Sequence, residues 1–412
     1  MPVSAKMIEY CEVCGTGDLP VVLDLGLHPL CDDLVPIGDS RRCREYPIEI
    51  LFCEKCLTAH QRIQVPKAEL FPPSYHYRSR QTADVLNGMR DLVHTYQAEF
   101  GPVLGSKVLD MGCNDGSLLS IFRDEGAVTY GIEPTGAAQD AMEQGHTVIN
   151  DFFGEAVAQA FVQSHGVPDV ICFTNVFAHI DDLRSLIRAL RVLISPKTTL
   201  VIENHYLGAV IDKHQFDTFY HEHPRTYSYT SFRHVADQLD MGIARAAFPR
   251  RYGGNIRVFL KRGMLPAVTD DKGICEQEAG FGQELRELSR SIAAWRTKKL
   301  HELGTELARY GKLPAKAFPG RAAILIKLLG LDAHQIEAVY EKPGSKKIGH
   351  YVPGTRIPIR SDDDFSADGS DARPMINLAW HIPTEIHSYL RQRGYQGRII
   401  DIITADDFRD PQ

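Results

Sequence analysis

The sequence has no surplus of basic residues: 46 Lys and Arg stand against 53 Asp and Glu, a net charge of −7. Sequence-independent binding to nucleic acid needs such a surplus, so that class is excluded. No apolar run approaches the roughly 18–20 residues of a membrane span. Residues 1–20 lack the continuous apolar stretch of a signal peptide. These absences point to a cytoplasmic protein with neither nucleic-acid nor membrane partners. No internal repeat of solenoid length is present. The H-E-x-x-H and H-x-x-x-H zinc spacings are missing around His221 and His223, which argues against those imidazoles as metal ligands. What remains is an ordinary globular composition, 43% hydrophobic and 24% charged, in a chain of 412 residues. That length is too great for one core and implies two or three domains.

Cysteine is the residue that is not scarce. Six of the nine fall in the first 56 positions, and an odd total without a secretory signal suits thiols and metal sites better than disulfides. Cys11-x-x-Cys14 and Cys53-x-x-Cys56 form two knuckles that can supply four thiolates to a tetrahedral zinc. Cys31, Cys43 and His60 compete for a ligand position. Four protein ligands close the coordination sphere, so the expected zinc is structural. Two unrelated redox motifs are the alternative, but neither knuckle opens a helix in a βαβ setting.

Short strands at 21–26 and 48–53 belong to this N-terminal module, followed by a loop at 70–79 and a helix through Phe100. From Lys107 the pattern becomes βα alternation, with strands at 107–111, 128–133, 169–174 and 199–203 and helices at 117–122 and 183–190. Alternation of this kind means a parallel sheet covered by helices. Residues 281–309 read as one long surface helix, 311–314 as a break, 323–403 as a second αβ pattern, and 362–372 as a solvated loop.

The loop at 110–116 joins the first strand of that alternation to its helix. A dinucleotide fingerprint needs a glycine where Asn114 stands. The spacing here is Gly112-x-x-x-Gly116, flanked by Asp110 and Asp115. Two carboxylates repel a pyrophosphate but tolerate a sulfonium and an amino group. Glu133, at the end of the next strand, can accept hydrogen bonds from ribose hydroxyls. Asp151 and Phe152 follow the third strand, where adenine is expected, and Asn175 follows the fourth. The set predicts binding of S-adenosylmethionine as a methyl donor.

Tyr220, His221, Glu222 and His223 place a phenol, two imidazoles and a carboxylate in four consecutive positions. Tyr75-His76-Tyr77 and the pair Asn175 and His179 lie on other loops that the topology directs to the same crevice. General acid–base chemistry is the natural use of such groups.

Together the motifs resemble the sugar C-methyltransferases that act on nucleotide-linked 4-keto-deoxysugars in antibiotic and surface-sugar pathways. The resemblance is carried by the two knuckles, residues 75–79, 110–119, 131–134, 175–180, 216–223, 252–259 and 351–358. It implies an α/β protein with a zinc-binding lobe (1–70), a Rossmann-like class I methyltransferase domain (71–265), a helical connection (266–310) and a smaller C-terminal Rossmann-like α/β domain (311–412). It further implies that His223 removes a proton from carbon 3, with His221 in reserve. Tyr220 and Glu222 then orient the base or the substrate, and Tyr75 or Tyr77 and His179 lie near the sugar. The expected partner is a small-molecule acceptor, with the chain a monomer or homodimer. The alternative is O- or N-methylation of another small metabolite. Residues 317–326, His381 and Pro224-Arg225 depart from the family's usual pattern, the last pointing to a different sugar or an acceptor phosphate.

Overall fold

The computed structural model describes residues 5–72, 77–81, 83–263, 271–365 and 373–409. The chain forms two compact units, one of Met1–Pro20, Leu51–Asp212 and Glu222–Gly282, the other of Val21–Ile50, Lys213–His221 and Gln283–Gln412. Two excursions thus join the C-terminal unit although sequence order sets them elsewhere. Their bonds explain it: Val35–Pro36 pairs antiparallel with His350–Tyr351, Glu45 accepts from Lys327 Nζ at 2.6 Å, and Asp217 accepts from Trp380 Nε1 at 2.9 Å.

The first unit is built on seven strands in the order Gly242–Ala247, Asn255–Lys261, Thr199–His205, Val170–Thr174, Lys107–Met111, Val128–Ile132, Thr147–Ile149. Six of these strands share one direction, and Asn255–Lys261 runs against them, antiparallel to both its neighbours. Helices cover both faces of the parallel part, so its strands read as apolar runs: Val170, Ile171, Cys172 and Phe173 are all fully buried. The helix Leu183–Leu193 shows why these segments fold as they do. Asp182 accepts from Ser185 N at 2.9 Å, and Leu183, Leu186, Ile187, Leu190 and Leu193 form a buried stripe at helical spacing. Loss of that cap costs about 1 kcal/mol.

Strand order reverses between Lys107–Met111 and Val170–Thr174. A crevice opens at the carboxyl ends of strands at such a reversal. The loop at 110–116, Asn175 with His179, and His205 all lie at those ends.

The second unit holds five parallel strands in the order Ile359–Ser361, Ile336–Glu341, Leu313–Lys316, Met375–Asn377, Ile399–Asp401. Two expectations change here. The segment read as a break is the central strand Leu313–Lys316, with Pro314 sitting where the register shifts between Leu313 and Ala315. The loop beginning at Asp362 is not solvated at its start, because Asp362 is buried and takes Lys316 Nζ on both oxygens at 2.7 Å. The helix Phe281–Tyr310 is a single element whose Leu285, Leu288, Ile292 and Trp295 are buried. No helix among the described residues is long and apolar enough to cross a membrane.

Candidate active site and metal centre

Cys11, Cys14, Cys53 and Cys56 bring their sulfurs within 4.8 Å of one another. The closest approaches are 3.3 Å between Cys11 and Cys56 and 3.5 Å between Cys14 and Cys53. A tetrahedron of zinc–sulfur bonds near 2.3 Å needs sulfurs roughly 3.8 Å apart, which these distances approach. Four thiols this close cannot all ionise unaided. The hydrogen bond with Cys11 holds Cys53 towards thiolate, while the one with Cys53 pushes Cys11 up to about 12. A divalent cation removes that conflict. The donor set fits structural zinc. His60, Cys31 and Cys43 stand outside the quartet. Cys43 Sγ donates to the Asp33 carbonyl at 3.2 Å.

The donor loop is shaped by backbone conformation. Gly112, Asn114 and Gly116 have φ of 68°, 50° and 78°. A Cβ on Gly112 would lie 2.7 Å from a Val176 methyl, so the glycine lets the loop close on the turn after the neighbouring strand Val170–Thr174. Asp110 is buried and its Oδ1 has no partner. Burial first, and then the Glu133 charge, push its carboxyl well above the usual range. A cationic ligand in this crevice relieves that penalty, and the loop fits S-adenosylmethionine on this ground. Glu133 accepts from Thr135 N and Oγ1 at 2.9 and 2.6 Å and from Asn114 N at 3.0 Å. Three donors on a carboxylate leave room for about one more.

Asn114 and Asp115 carry a second duty. Asn114 Oδ1 accepts from Ser79 N at 3.0 Å and its Nδ2 donates to the Tyr77 carbonyl at 3.1 Å. Asp115 accepts from Arg80 N at 2.9 Å and from Ser117 Oγ at 2.6 Å. Their side chains thus strap residues 77–80 onto the loop. Tyr77 is exposed, and Tyr75 lies outside the described residues. Asp151 is also exposed, and Phe152 lies half-buried under Lys67 Nζ, 4.9 Å from the ring centroid.

Beyond the loop, three imidazoles come together. The His223 ring stands 5.0 Å from that of His179 and 5.2 Å from that of His205. His179 Nδ1 donates to the Glu222 carbonyl at 2.6 Å, and Phe71 closes its other side at 5.2 Å. Burial lowers the His179 pKa, against the pull of the Glu222 and Asn175 carbonyls. Asn175 has φ of 54°, with its N–H on the Glu203 carbonyl at 2.7 Å. Glu222 and His223 are both buried.

Tyr220 and His221 belong to the other compact unit, so the chain passes between units inside the Tyr-His-Glu-His run. There His221 Nε2 bonds the Tyr46 carbonyl at 3.2 Å, and burial brings its pKa down to about 4.

Sequence reasoning missed His205 and the network behind it. Glu203, fully buried, takes Arg257 Nε at 2.6 Å, Asn255 Nδ2 at 2.9 Å and pairs with Arg251 at 2.9 Å. These groups come from the 252–259 motif and its flank, and they brace the strand that ends at His205. The visible signal was a Glu-Asn-His strand end at 203–205 beside a motif containing Asn255 and Arg257.

Strand order, donor loop and the acid after the second strand define an S-adenosylmethionine-dependent class I methyltransferase. Family profiles agree along the chain: a putative zinc binding domain matches residues 11–71, a methyltransferase domain 77–241, and a C-methyltransferase C-terminal domain 250–403. The C-methyltransferase NovU of Streptomyces niveus is 26% identical over 392 residues, covering 92% of each chain. The three matched domains and this likeness mark the chain as an S-adenosylmethionine-dependent C-methyltransferase.

The ubiquinone biosynthesis O-methyltransferase of Escherichia coli O157:H7 is 33% identical over 117 residues, 27% of this chain and 48% of that enzyme. The chain thus spans about half the length of that relative. The magnesium protoporphyrin IX methyltransferase of Synechocystis PCC 6803 superposes on 44% of this chain and 84% of its own, at 18% identity and a TM-score of 0.35.

Proposed function

We propose that this enzyme methylates carbon 3 of a nucleotide-linked 4-keto-deoxysugar, with His223 as the base. The ketone acidifies the adjacent C–H bond. His223 takes the proton, and the bond's electron pair passes into the enolate. The enolate carbon then bonds the methyl group as the sulfur–carbon bond breaks. When bound, S-adenosylmethionine supplies that methyl group on a cationic sulfur. His223 afterwards returns its proton to solvent.

The observation that carries this reading is the buried contact of His223 with His179 and His205 at the carboxyl ends of the strands. Burial favours neutral His179, so no like charge opposes the proton arriving on His223. The His179 bond to the Glu222 carbonyl holds the backbone beside the base. In this reading Glu222 and Tyr77 orient the base or the substrate, and residues 77–80 are tied to the donor loop through Asn114 and Asp115. Alignment of carbon, methyl and sulfur then supplies the rest of the acceleration. The NovU likeness, which spans nearly the whole chain, favours carbon over oxygen or nitrogen as the acceptor.

Methyl-13C-labelled S-adenosylmethionine, offered with a panel of nucleotide-linked 4-keto-deoxysugars, tests the reading by NMR of the product. A label bonded to carbon next to the ketone supports it. A label on oxygen or nitrogen overturns it.

A further inference from the structure

Two residues beyond His223 stands Arg225, whose position in the sequence suggested an acceptor phosphate. It is fully buried, and its guanidinium points to the cysteine lobe. Nη1 bonds the Glu12 carboxylate and Nε donates to the Tyr227 hydroxyl at 2.9 Å. Glu12 lies inside the first knuckle, between Cys11 and Cys14, and also accepts from Lys6 Nζ and Gln64 Nε2, each at 2.8 Å.

The backbone repeats the connection. Gln61 N donates to the Pro224 carbonyl at 2.9 Å, and Arg225 and Thr226 pair with His60 and Ala59 of the strand that follows the second knuckle. Farther along, Ser231 Oγ donates to the carbonyls of Cys56 and Leu57 at 3.2 and 3.1 Å, and Gln238 Nε2 to that of Val13 at 2.7 Å. Each knuckle is bonded to the segment that begins at His223.

We infer that Glu12 and Arg225 are positioning residues for the acceptor-side chemistry: the metal knuckle fixes Glu12, Glu12 fixes Arg225, and Arg225 fixes the backbone that presents His223. This rests on the proposed role of His223. A guanidinium held at two different nitrogens has a fixed plane, which a lysine ammonium cannot reproduce. A buried ion pair adds little to stability over apolar residues of similar volume, so its contribution here is geometric. Such geometry matters because a misplacement of about 1 Å can cost about 100-fold in rate.

The test uses the full zinc-loaded chain and two variants, Glu12→Gln and the double variant Glu12→Leu with Arg225→Met. Hydrogen–deuterium exchange is read for the peptides covering 223–228 and 110–116, zinc by metal analysis, and donor affinity with S-adenosylmethionine itself. The double variant is expected to keep its zinc and donor affinity, while amide protection at 225–227 falls about tenfold and that at 110–116 holds. With a nucleotide-linked 4-keto-deoxysugar that the parent accepts, kcat should fall about 100-fold and the donor KM stay within about twofold. Glu12→Gln keeps the cysteines and one hydrogen bond, so it carries the test if the double variant loses zinc; its kcat should fall about tenfold. Protection and kcat within about twofold of the parent in the variants that hold zinc overturn the inference, as does lost protection with unchanged kcat. If His223→Asn retains full turnover, the base assignment fails, and the exchange data still report separately on the Glu12–Arg225 tie.

Discussion

His179 Nδ1 lies 2.6 Å from the carbonyl oxygen of Glu222, so an imidazole beyond one strand of the sheet grips the residue beside His223. Donation to that carbonyl keeps a proton on Nδ1 and orients the ring. The His223 ring packs against this locked partner on one side and against His205 on the other. In the proposed reading His223 takes the substrate's proton while its neighbour holds the backbone.

Asp110 gives the first prediction. Its carboxyl is pushed up by burial, so the donor-free folded state retains a proton that the unfolded chain releases above about pH 3.9. Stability from this group is therefore lost as pH rises above that value. Asp110→Asn removes the loss. The variant's melting temperature should match the parent's near pH 4 and exceed it increasingly towards neutrality. Its affinity for S-adenosylmethionine should fall about 10- to 100-fold, the cost of a charge-assisted bond. Calorimetry in buffers of different ionisation enthalpy should also show a proton released when the parent binds the donor. Equal melting curves at pH 7 would contradict this.

The cysteine quartet gives the second. Purified protein should hold one zinc, and Cys53→Ser should lower that content and the melting temperature together. Thiolate ligands must be deprotonated, so zinc should also leave as the solution is acidified. Metal analysis across a pH series measures both effects. A variant without zinc that melts like the parent would show the metal to be dispensable.

Gly112 gives the third. Alanine there meets a positive φ and the Val176 methyls at 2.7 and 2.9 Å. The strained conformation and the overpacking should together cost about 2–5 kcal/mol. Adding Val176→Ala removes the clash but not the backbone strain, so the double variant should regain about 1 kcal/mol or more. Chemical denaturation of the four proteins in the cycle measures the coupling, and strict additivity would show that the two side chains do not meet.

How far the sequence foretold these features depends on whether one stretch of chain carried them. The donor loop was legible because strand, glycine turn and helix are consecutive, and the cysteine quartet because each knuckle is local. Arg225 was misread: nothing nearby in the sequence identifies Glu12, more than two hundred positions earlier, as its partner. Pro314 concealed the central strand of the second unit, since a proline is tolerated there only where the register slips. His205 was hidden for another reason. A histidine ending an apolar strand reads as an ordinary boundary until His223 is brought beside it. The joining of 21–50 and 213–221 to the C-terminal unit also depends on contacts with residues far along the chain.

The most direct test is deuterium exchange in D2O between solvent and carbon 3 of a nucleotide-linked 4-keto-deoxysugar, with S-adenosylhomocysteine in the donor site so that no methyl can transfer. The parent enzyme should wash deuterium into that position, and His223→Asn should not, although its affinity for S-adenosylmethionine is nearly unchanged. Exchange at the parental rate in His223→Asn, or none in the parent, would contradict the account.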